Sequence, residues 1–429
     1  MSLGQYGRSV SILNAAYTPL GFVTQTPEIL GCSERELFAM ACIEAMKDSN
    51  IDANDVDAYY VGISGPSSQA KVKSAAPFFS EWIGMRGKPT IFHDEGCGTQ
   101  AFGLQLAVQA VASGQYDCVI TGAVNINSSA ARAGFPPFIR DKQDRDALTA
   151  DLLIGDDAAY QTPGTGSAVP ALEAAFIRYA IQNKLSFANM EDACTNYLLS
   201  KREEAILNPK AVLAVESYES EAKRFGFDDA RAYLTSNKFN PKVGTLVRFK
   251  CSGAMVDGAS AIIVCSTEKA KQLVKKPIEV AGVTTSTALD KMFGEVPNTA
   301  DVKMFRDIYT MAGITDPRKE VDYMGIHDCP CTMILPVTEA AGYFDQGEAF
   351  RYMIEGRLTH ESDRAVNTTG GRTQSGHPRS PAFGIEVAEA VAQMRGEAGA
   401  RQLANVPKTS VVWGGGSGFN LGACVLRTL

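Results

Sequence analysis

The sequence predicts an α/β protein with a layered, mainly parallel sheet, assembled from two related halves. Apolar β-like runs alternate with segments of helix length, an order typical of parallel sheets covered by helices. The chain has 429 residues, more than one hydrophobic core usually encloses, so two domains or two fused halves are expected. An internal duplication favours two fused halves.

One helix–strand unit occurs twice, first after Cys97 and again after His377. When Phe102 is paired with Phe383, 281 positions later, the apolar positions of the two helices stay in phase. After polar residues, each copy reaches a β-like run that ends in glycine. A cysteine before one copy and a histidine before the other predict an active site assembled from both halves.

The first third of the chain contains four predicted strands and an early helix. Ser33 and Glu36 match a capping box, which predicts a helix that runs through Met46. Each predicted strand is a short apolar run bounded by polar or turn-forming residues. These strands are residues 9–13, 57–62, 90–93 and 118–122.

Residues from about 125 to 245 interrupt this alternation. Amphipathic helices around 167–183 and 189–204, joined by turns with Pro and Gly, predict a long insertion that covers the sheet. We therefore divide the chain into an N-terminal half, residues 1–275 with this insertion, and a C-terminal half, residues 276–429. The later strands are predicted at 261–265, 278–282, 322–324, 410–414 and 423–426.

The composition argues against several classes of function. The net charge of −7 gives no reason to expect nucleic acid or an anionic membrane as a partner. No apolar run reaches the ~18 residues of a membrane span, and the N-terminus lacks a basic-then-apolar signal. The ten cysteines show no paired framework, which suits a reducing compartment, so we expect a cytoplasmic protein.

Cys97 is the candidate nucleophile. It lies between two glycines at a predicted strand-to-helix turn, where backbone amides and the helix dipole would favour the thiolate. The glycines would let an acyl carbonyl approach the backbone, and the Cys97 amide could donate to a developing oxyanion. The alternative is a buried structural cysteine, but the flanking glycines, the helix start and the duplicated partner favour catalysis.

A second group of chemically active residues follows the strand predicted at 322–324. His327 and Cys329 are two residues apart at a strand end, so alternation would place the imidazole and the thiol on one side, able to polarise a carbonyl and transfer a proton. The alternatives are a structural histidine or a metal site that includes Cys331. Zinc usually needs four ligands and the sequence shows no other dense His/Cys cluster, so no metal is expected.

His377 precedes the second copy of the duplicated helix. If a pseudo-twofold axis relates the halves, His377 projects into the crevice of Cys97, where it could accept the thiol proton or bind an acyl oxygen. A histidine that caps the helix is the milder alternative. The glycine-rich residues 414–418 lack the Lys-Ser/Thr ending of a phosphate loop, so we interpret them as a turn whose amides approach the acyl group.

These motifs together resemble the thiolase superfamily, and most closely its sterol-carrier-protein and archaeal-like branch. That branch lacks the second catalytic cysteine of ordinary thiolases, whose position here is Val412. The matches run over nearly the whole chain in the family's order. They are Cys97, residues 207–211, residues 257–261, His327-Asp328-Cys329, Gly376-His377-Pro378 and Gly414.

The resemblance implies a five-layered αβαβα thiolase fold, normally a homodimer, with coenzyme A thioesters as substrates and no permanently bound cofactor. It implies that Cys97 forms an acyl-enzyme after activation by His377, and that His327 and His377 bind the thioester oxygen. Cys329 would move the α-proton in place of the missing cysteine, and the Cys97 and Gly414 amides would form the other oxyanion hole. The activity implied is CoA-dependent cleavage of a 3-oxoacyl-CoA, or the reverse Claisen condensation.

The sequence departs from the family beside the expected acyl pocket. Pro330 replaces the phenylalanine after His-Asp-Cys, and Arg379, Ser380 and Pro381 alter the run after Gly-His-Pro. These changes argue against ordinary acetoacetyl-CoA specificity and favour an aromatic or branched substrate. Some relatives of this branch, such as benzoylsuccinyl-CoA thiolase, act with a small zinc-bearing OB-fold protein, which makes such a subunit a candidate partner.

The sequence leaves two other functions open. A condensing acyltransferase would pass the acyl group to an acceptor other than coenzyme A. A non-catalytic scaffold subunit would only position a lipid or a partner protein, but it would need none of the four side chains Cys97, His327, Cys329 and His377.

Overall fold

Nine strands of the described residues form one sheet at the centre of the protein. The structure, a computed structural model, describes residues 7–64, 75–128, 168–287, 296–416 and 420–429. The strands are β1 (Val10–Tyr17), β2 (Ala58–Gly62), β3 (Thr90–His93), β4 (Cys118–Asn125), β5 (Gly258–Ser266), β6 (Ile278–Thr287), β7 (Tyr323–Ile326), β8 (Thr409–Gly416) and β9 (Asn420–Thr428). Their order across the sheet is β3-β2-β4-β5-β1-β6-β9-β8-β7.

Helices cover this sheet and fill the insertion. Each predicted strand and helix overlaps an observed one, and the capping box at Ser33 is formed. The α-helices of the described residues are α1 (Glu34–Lys47), α2 (Pro77–Ser80), α3 (Thr99–Ala112), α4 (Ala168–Gln182), α5 (Phe187–Ile206), α6 (Tyr218–Arg224), α7 (Ala230–Thr235), α8 (Thr267–Leu273), α9 (Thr299–Ala312), α10 (Pro317–Glu320), α11 (Ile334–Ala340), α12 (Glu348–Ile354), α13 (Gly371–Ser375) and α14 (Ala382–Arg395).

The strand directions differ from the prediction. β2 runs parallel to β3 and β4, and β7 runs parallel to β8, but β5, β6 and β9 pair antiparallel with their neighbours. The sheet is therefore mixed rather than mainly parallel. Alternation of strands with helices does not fix strand direction where a long insertion separates β4 from β5 and lets the chain return antiparallel.

The fold has five layers, as the resemblance implies. Helices α3 and α14 form the inner layer, because Leu104 and Val387 share one core with Val119 and Val412, from strands on either side. Helix α1 packs on the outer face of the N-terminal strands, and α9 packs on the outer face of the C-terminal strands. The layers are thus αβαβα. The two sheet halves meet where β1 pairs with β6 through Ser11 and Ile12.

The boundary drawn near residue 275 falls between the end of α8 and the start of β6. The division into halves stays a prediction. The insertion contributes α4 to α7 to the described structure, while its residues 129–167 lie outside the described part. None of the described helices is both long enough and apolar enough to cross a lipid bilayer.

Candidate active site

Cys97 lies in the turn between β3 and α3. Residues Gly96–Gly98 form a 3₁₀ turn, with Gly96 at a φ of +60°, and α3 begins at the next residue. The Thr99 hydroxyl donates to the Gly96 carbonyl at 2.6 Å and accepts from the Glu95 amide at 2.9 Å. The turn is therefore fixed on both sides of the half-buried Cys97 thiol.

The backbone of His377 forms a short bridge and not the helix cap that was the milder alternative. Its N–H donates to the Ala254 carbonyl at 2.8 Å, and its carbonyl accepts from the Val256 amide at 3.2 Å, a short parallel bridge. It is thus not a helix cap, since α14 begins only at Ala382. Arg379, at a φ of +65°, and the prolines around it keep the intervening chain out of the helix.

The fold brings the reactive side chains of both halves together. The ligand atoms of Cys97, His327 and His377 all lie within 4.8 Å of one another. The two imidazole rings have centroids 4.8 Å apart, and the exposed fractions of His327 and His377 are only 4% and 3%. The His327 amide donates to the carbonyl of Trp413, the residue before Gly414, at 3.0 Å, which ties this site to β8.

The environment of His377 favours a neutral imidazole. Burial lowers its pKa well below the ordinary value, and electrostatic interactions with His327, Arg379 and Arg372 lower it further. Its Nδ1 lies 3.2 Å from the Met255 sulfur, and no described residue hydrogen-bonds to its buried Nε2. Nε2 is thus the atom that can accept a proton.

Cys329 lies beside the group of Cys97, His327 and His377 and not within it. Its Sγ donates to the Ser252 carbonyl at 2.8 Å. Burial raises the pKa of the Cys329 thiol well above its usual range, and the nearby Cys97 and Asp328 raise it further. The side chain is therefore held as a thiol that has a proton to give.

Asp328 anchors the segment that carries His327 and Cys329. Its carboxylate accepts hydrogen bonds from the Arg372 amide at 2.6 Å, the Thr373 hydroxyl at 2.9 Å and the Tyr197 hydroxyl at 2.7 Å. Tyr197 belongs to α5, so the insertion reaches the active site. The sequence analysis missed Tyr197, because nothing in an amphipathic helix marks which hydroxyl turns inward.

Asn367 is a second positioning residue that the sequence analysis missed. Its side-chain oxygen accepts from the Ile326 amide at 2.6 Å, and its Nδ2 donates to the Ile326 carbonyl at 2.8 Å. The end of β7, directly before His327, is thereby fixed. Asn367 has a φ of +56°, and the Asn-Thr-Thr-Gly-Gly run at 367–371 was the available signal for such a turn.

A cavity of about 220 Å³ opens next to these residues. Gly253, Ala254 and Gly376, the residue before His377, line it. Two cations, Arg202 and Lys250, line the cavity as well. The cavity therefore reaches the residue before His377 and has two cations in its wall.

The alternative metal cluster of His327, Cys329 and Cys331 is not formed. The chain enters a 3₁₀ turn at Cys331 after β7 has ended, so Cys331 faces away from His327. Its sulfur lies instead with those of Cys194 and Cys251, all within 4.8 Å. The sequence analysis did not foresee this group, because its three cysteines are distant in sequence and converge only in the fold.

Known proteins resemble the chain over almost its whole length. The family model described as Thiolase C-terminal domain-like matches residues 262–428. Acetyl-CoA acetyltransferase of Methanothermobacter thermautotrophicus is 23% identical over 399 residues, which cover 92% of this chain and 93% of that protein. The chain belongs to the thiolase superfamily. Benzoylsuccinyl-CoA thiolase subunit BbsB of Thauera aromatica is 25% identical to this thiolase over 389 residues, 88% of this chain and 89% of that protein.

Solved structures share the fold of this thiolase. The Ltp2-ChsH2(DUF35) aldolase superposes with a TM-score of 0.74 at 18% identity, with 98% of both chains covered. Human mitochondrial 3-ketoacyl-CoA thiolase superposes with a TM-score of 0.63 at 17% identity and covers 98% of this chain and 99% of its own. These structures confirm the predicted fold, while the family model and the curated relatives confirm the predicted family; the chain is an enzyme of the thiolase type, an acyltransferase.

Proposed function

We propose that this thiolase cleaves a 3-oxoacyl-CoA with coenzyme A, or runs the reverse Claisen condensation, through an acyl-enzyme on Cys97. The observation that carries the proposal is the convergence of Cys97, His327 and His377 from both halves within 4.8 Å. Covalent acyl transfer needs a thiol nucleophile with a base in reach, and the unpartnered Nε2 of a neutral His377 suits that base.

In the first step, His377 Nε2 takes the proton of Cys97, and the thiolate attacks the 3-oxo carbonyl. The amides of Cys97 and Gly414 stabilise the oxyanion of the tetrahedral intermediate. The C2–C3 bond then breaks, the thioester enolate is held by His327 and His377, and the Cys329 thiol gives its proton to C2. One acyl-CoA leaves, and the other acyl group stays on Cys97.

In the second step, coenzyme A accepts the acyl group from Cys97 and regenerates the free enzyme. Its thiol returns a proton to the Cys329 thiolate and attacks the Cys97 thioester, which forms the second acyl-CoA. Cys97 leaves as a thiolate and recovers its proton from His377. Protons and bonds therefore balance over the cycle, and no bound cofactor or metal is needed.

The cavity beside His377 is the proposed path for the thioester. Arg202 lies 3.0 Å from Glu221, and Lys250 lies over the Tyr218 ring with its ammonium 5.5 Å from the ring centroid. These cations suit the phosphates of coenzyme A. Gly253 and Gly376 in the cavity wall would let the pantetheine thioester approach the backbone. The departures at Pro330 and at 379–381 favour an aromatic or branched acyl group.

We propose a homodimer that forms at the free edge of β3, and a cytoplasmic location. β3 is an edge strand of the sheet, and Ile91 and Phe92 on it are each 38% exposed. Exposed apolar side chains on an edge strand favour pairing with a second copy. An OB-fold subunit is a further candidate partner, because one relative is named a subunit and one structural neighbour is a two-protein aldolase with a DUF35 component.

Mass spectrometry of the intact protein after exposure to a panel of 3-oxoacyl-CoA and acyl-CoA thioesters tests the acyl-enzyme. We expect a mass increase that identifies the acyl group, is absent in Cys97→Ala and persists in the matched control Cys42→Ala, a buried cysteine in α1. If Cys97→Ala is labelled as fast as the wild type, the proposed mechanism is wrong.

Product analysis separates the proposal from its alternatives. Thiolysis requires free coenzyme A and releases two thioesters, whereas a condensing acyltransferase would form product with another acceptor, and a scaffold would form none. Affinity capture from the native host tests the OB-fold partner. Recovery of only the homodimer would remove that partner from the proposal.

A further inference from the structure

Three cysteines form a buried sulfur cluster behind the active site. Cys194 comes from α5, Cys251 from the 3₁₀ turn Phe249–Ser252, and Cys331 from the 3₁₀ turn Cys331–Met333. Their sulfurs lie within 4.8 Å of one another, and their exposed fractions are 3%, 2% and 0%. All three are free thiols. The mechanism proposed above uses none of them.

We propose that Cys194, Cys251 and Cys331 bind one thiophilic d¹⁰ metal ion of the copper(I) class. Three sulfurs at a metal–sulfur distance of about 2.3 Å in a trigonal plane lie about 4 Å apart. The three sulfurs therefore need to approach one another by less than about an ångström to surround an ion. Soft thiolates select soft ions. Each ligating thiol releases its proton to solvent as the ion binds.

The donor set favours three-coordination. Among the described residues, no fourth nitrogen, sulfur or carboxylate ligand belongs to this group. Glu173 is close enough for its charge to act on Cys194, but its carboxylate already accepts hydrogen bonds from the Thr245 amide at 2.8 Å and the Val247 amide at 2.7 Å. Zinc usually requires four well-placed ligands, whereas copper(I) is satisfied by three thiolates.

The three cysteine segments also surround Cys329. Ser252, next to Cys251, accepts the hydrogen bond of the Cys329 thiol, and Tyr197, one turn after Cys194, donates to Asp328. Cys331 follows Cys329 by two residues. An ion in the cluster would therefore join, at one point, the insertion, the loop before β5 and the segment after β7.

Competition titration of the full-length, reduced protein against a chromophoric copper(I) chelator tests the site. The Cys97→Ala background removes the other Cys/His group. We expect one copper(I) per chain to be held against the chelator, with three sulfur ligands by X-ray absorption. Cys194→Ala, Cys251→Ala and Cys331→Ala should each weaken binding at least tenfold, while the buried controls Cys42→Ala and Cys118→Ala should not.

Maleimide mapping of the wild-type chain keeps the test valid if a triad variant does not fold. Copper(I) should protect Cys194, Cys251 and Cys331 from the reagent during brief unfolding. The proposal fails if no copper is retained, if the protected cysteines are others, or if the triad variants bind like the controls. Retention of four-coordinate Zn²⁺ in place of copper(I) would overturn the assigned ion class.

Discussion

The protonation state of His377 links the electrostatics of the site to its chemistry. A buried imidazole beside a second histidine and two arginines stays neutral where an exposed histidine would begin to charge. The base is therefore ready in mildly acidic as well as neutral solution. Arg379, one of the residues that depart from the family, contributes to this effect and so can be tested separately from the catalytic groups.

Arg379→Met should move the acid limb of the pH profile of Cys97 acylation to higher pH. Removal of the positive charge raises the pKa of His377 toward its ordinary value, so imidazolium forms at a higher pH and the base is lost earlier on acidification. Burst kinetics across pH would measure the shift. The exposed Arg351→Met is the control, and an unchanged profile for Arg379→Met would disprove the electrostatic role.

Asn367 allows a comparison of two substitutions at one position. Asn367→Ala leaves the Ile326 amide and carbonyl unpaired, at about 1–3 kcal/mol each, and keeps a β-carbon at positive φ without the side-chain amide that makes Asn tolerant of that region. Asn367→Gly loses the same hydrogen bonds without that steric strain. We expect both to lose activity, with Gly more stable than Ala by roughly 0.5–1 kcal/mol in urea unfolding. Equal stability of the two variants would show that the positive φ of residue 367 does not strain the backbone of the Ala variant.

Among the elements, the two inner helices are in close contact at Gly384. A β-carbon on Gly384 of α14 would lie 2.1 Å from the side-chain oxygen of Gln100 on α3, and Gln100 is fully buried. This glycine is the reason that the twice-occurring helices can cross directly behind Cys97 and His377.

Gly384→Ala should destabilise the protein by about 1–3 kcal/mol, because the inserted methyl group overpacks a closed site. In a Gln100→Ala background the same substitution should cost less, since its clash partner is gone. Denaturant unfolding of the four proteins gives the coupling energy. Strictly additive effects would show that the two helices do not restrain each other there.

The positions of the strands and helices were largely predictable from the sequence, and the directions of the strands were not. Apolar runs such as 90–93 predicted β3 to the residue, since strand and helix periodicity are local properties. The sequence also indicated that Cys97 and His377 meet, because the duplication relates the halves. Antiparallel pairing, the convergence of Cys194 with Cys251, and the bond from Tyr197 to Asp328 depend on long-range packing, for which one sequence carries no local signal.

At the scale of the whole molecule, the exposed edge of the sheet is the place where we propose that two copies pair. Ile91→Lys on β3 should convert the proposed dimer into a monomer, because a charge on an edge strand opposes pairing with another chain. Sedimentation velocity would detect the change, and the unfolding free energy should move by no more than about 0.5 kcal/mol. Val215→Lys, at a position that is 80% exposed elsewhere, is the control. A variant that sediments like the wild type would place the interface on another surface.

Helix α5 has a consequence for how such chains can be recombined. Its fully buried Lys201 donates to the Val366 carbonyl at 2.6 Å and to the Asn367 carbonyl at 3.3 Å. The Tyr197 hydroxyl of the same helix donates to the Asp328 carboxylate at 2.7 Å. A chimera whose replacement helix lacks these two side chains would leave the buried Val366 and Asn367 carbonyls and the buried Asp328 carboxylate without these donors. An exchanged insertion therefore has to keep Tyr197 and Lys201.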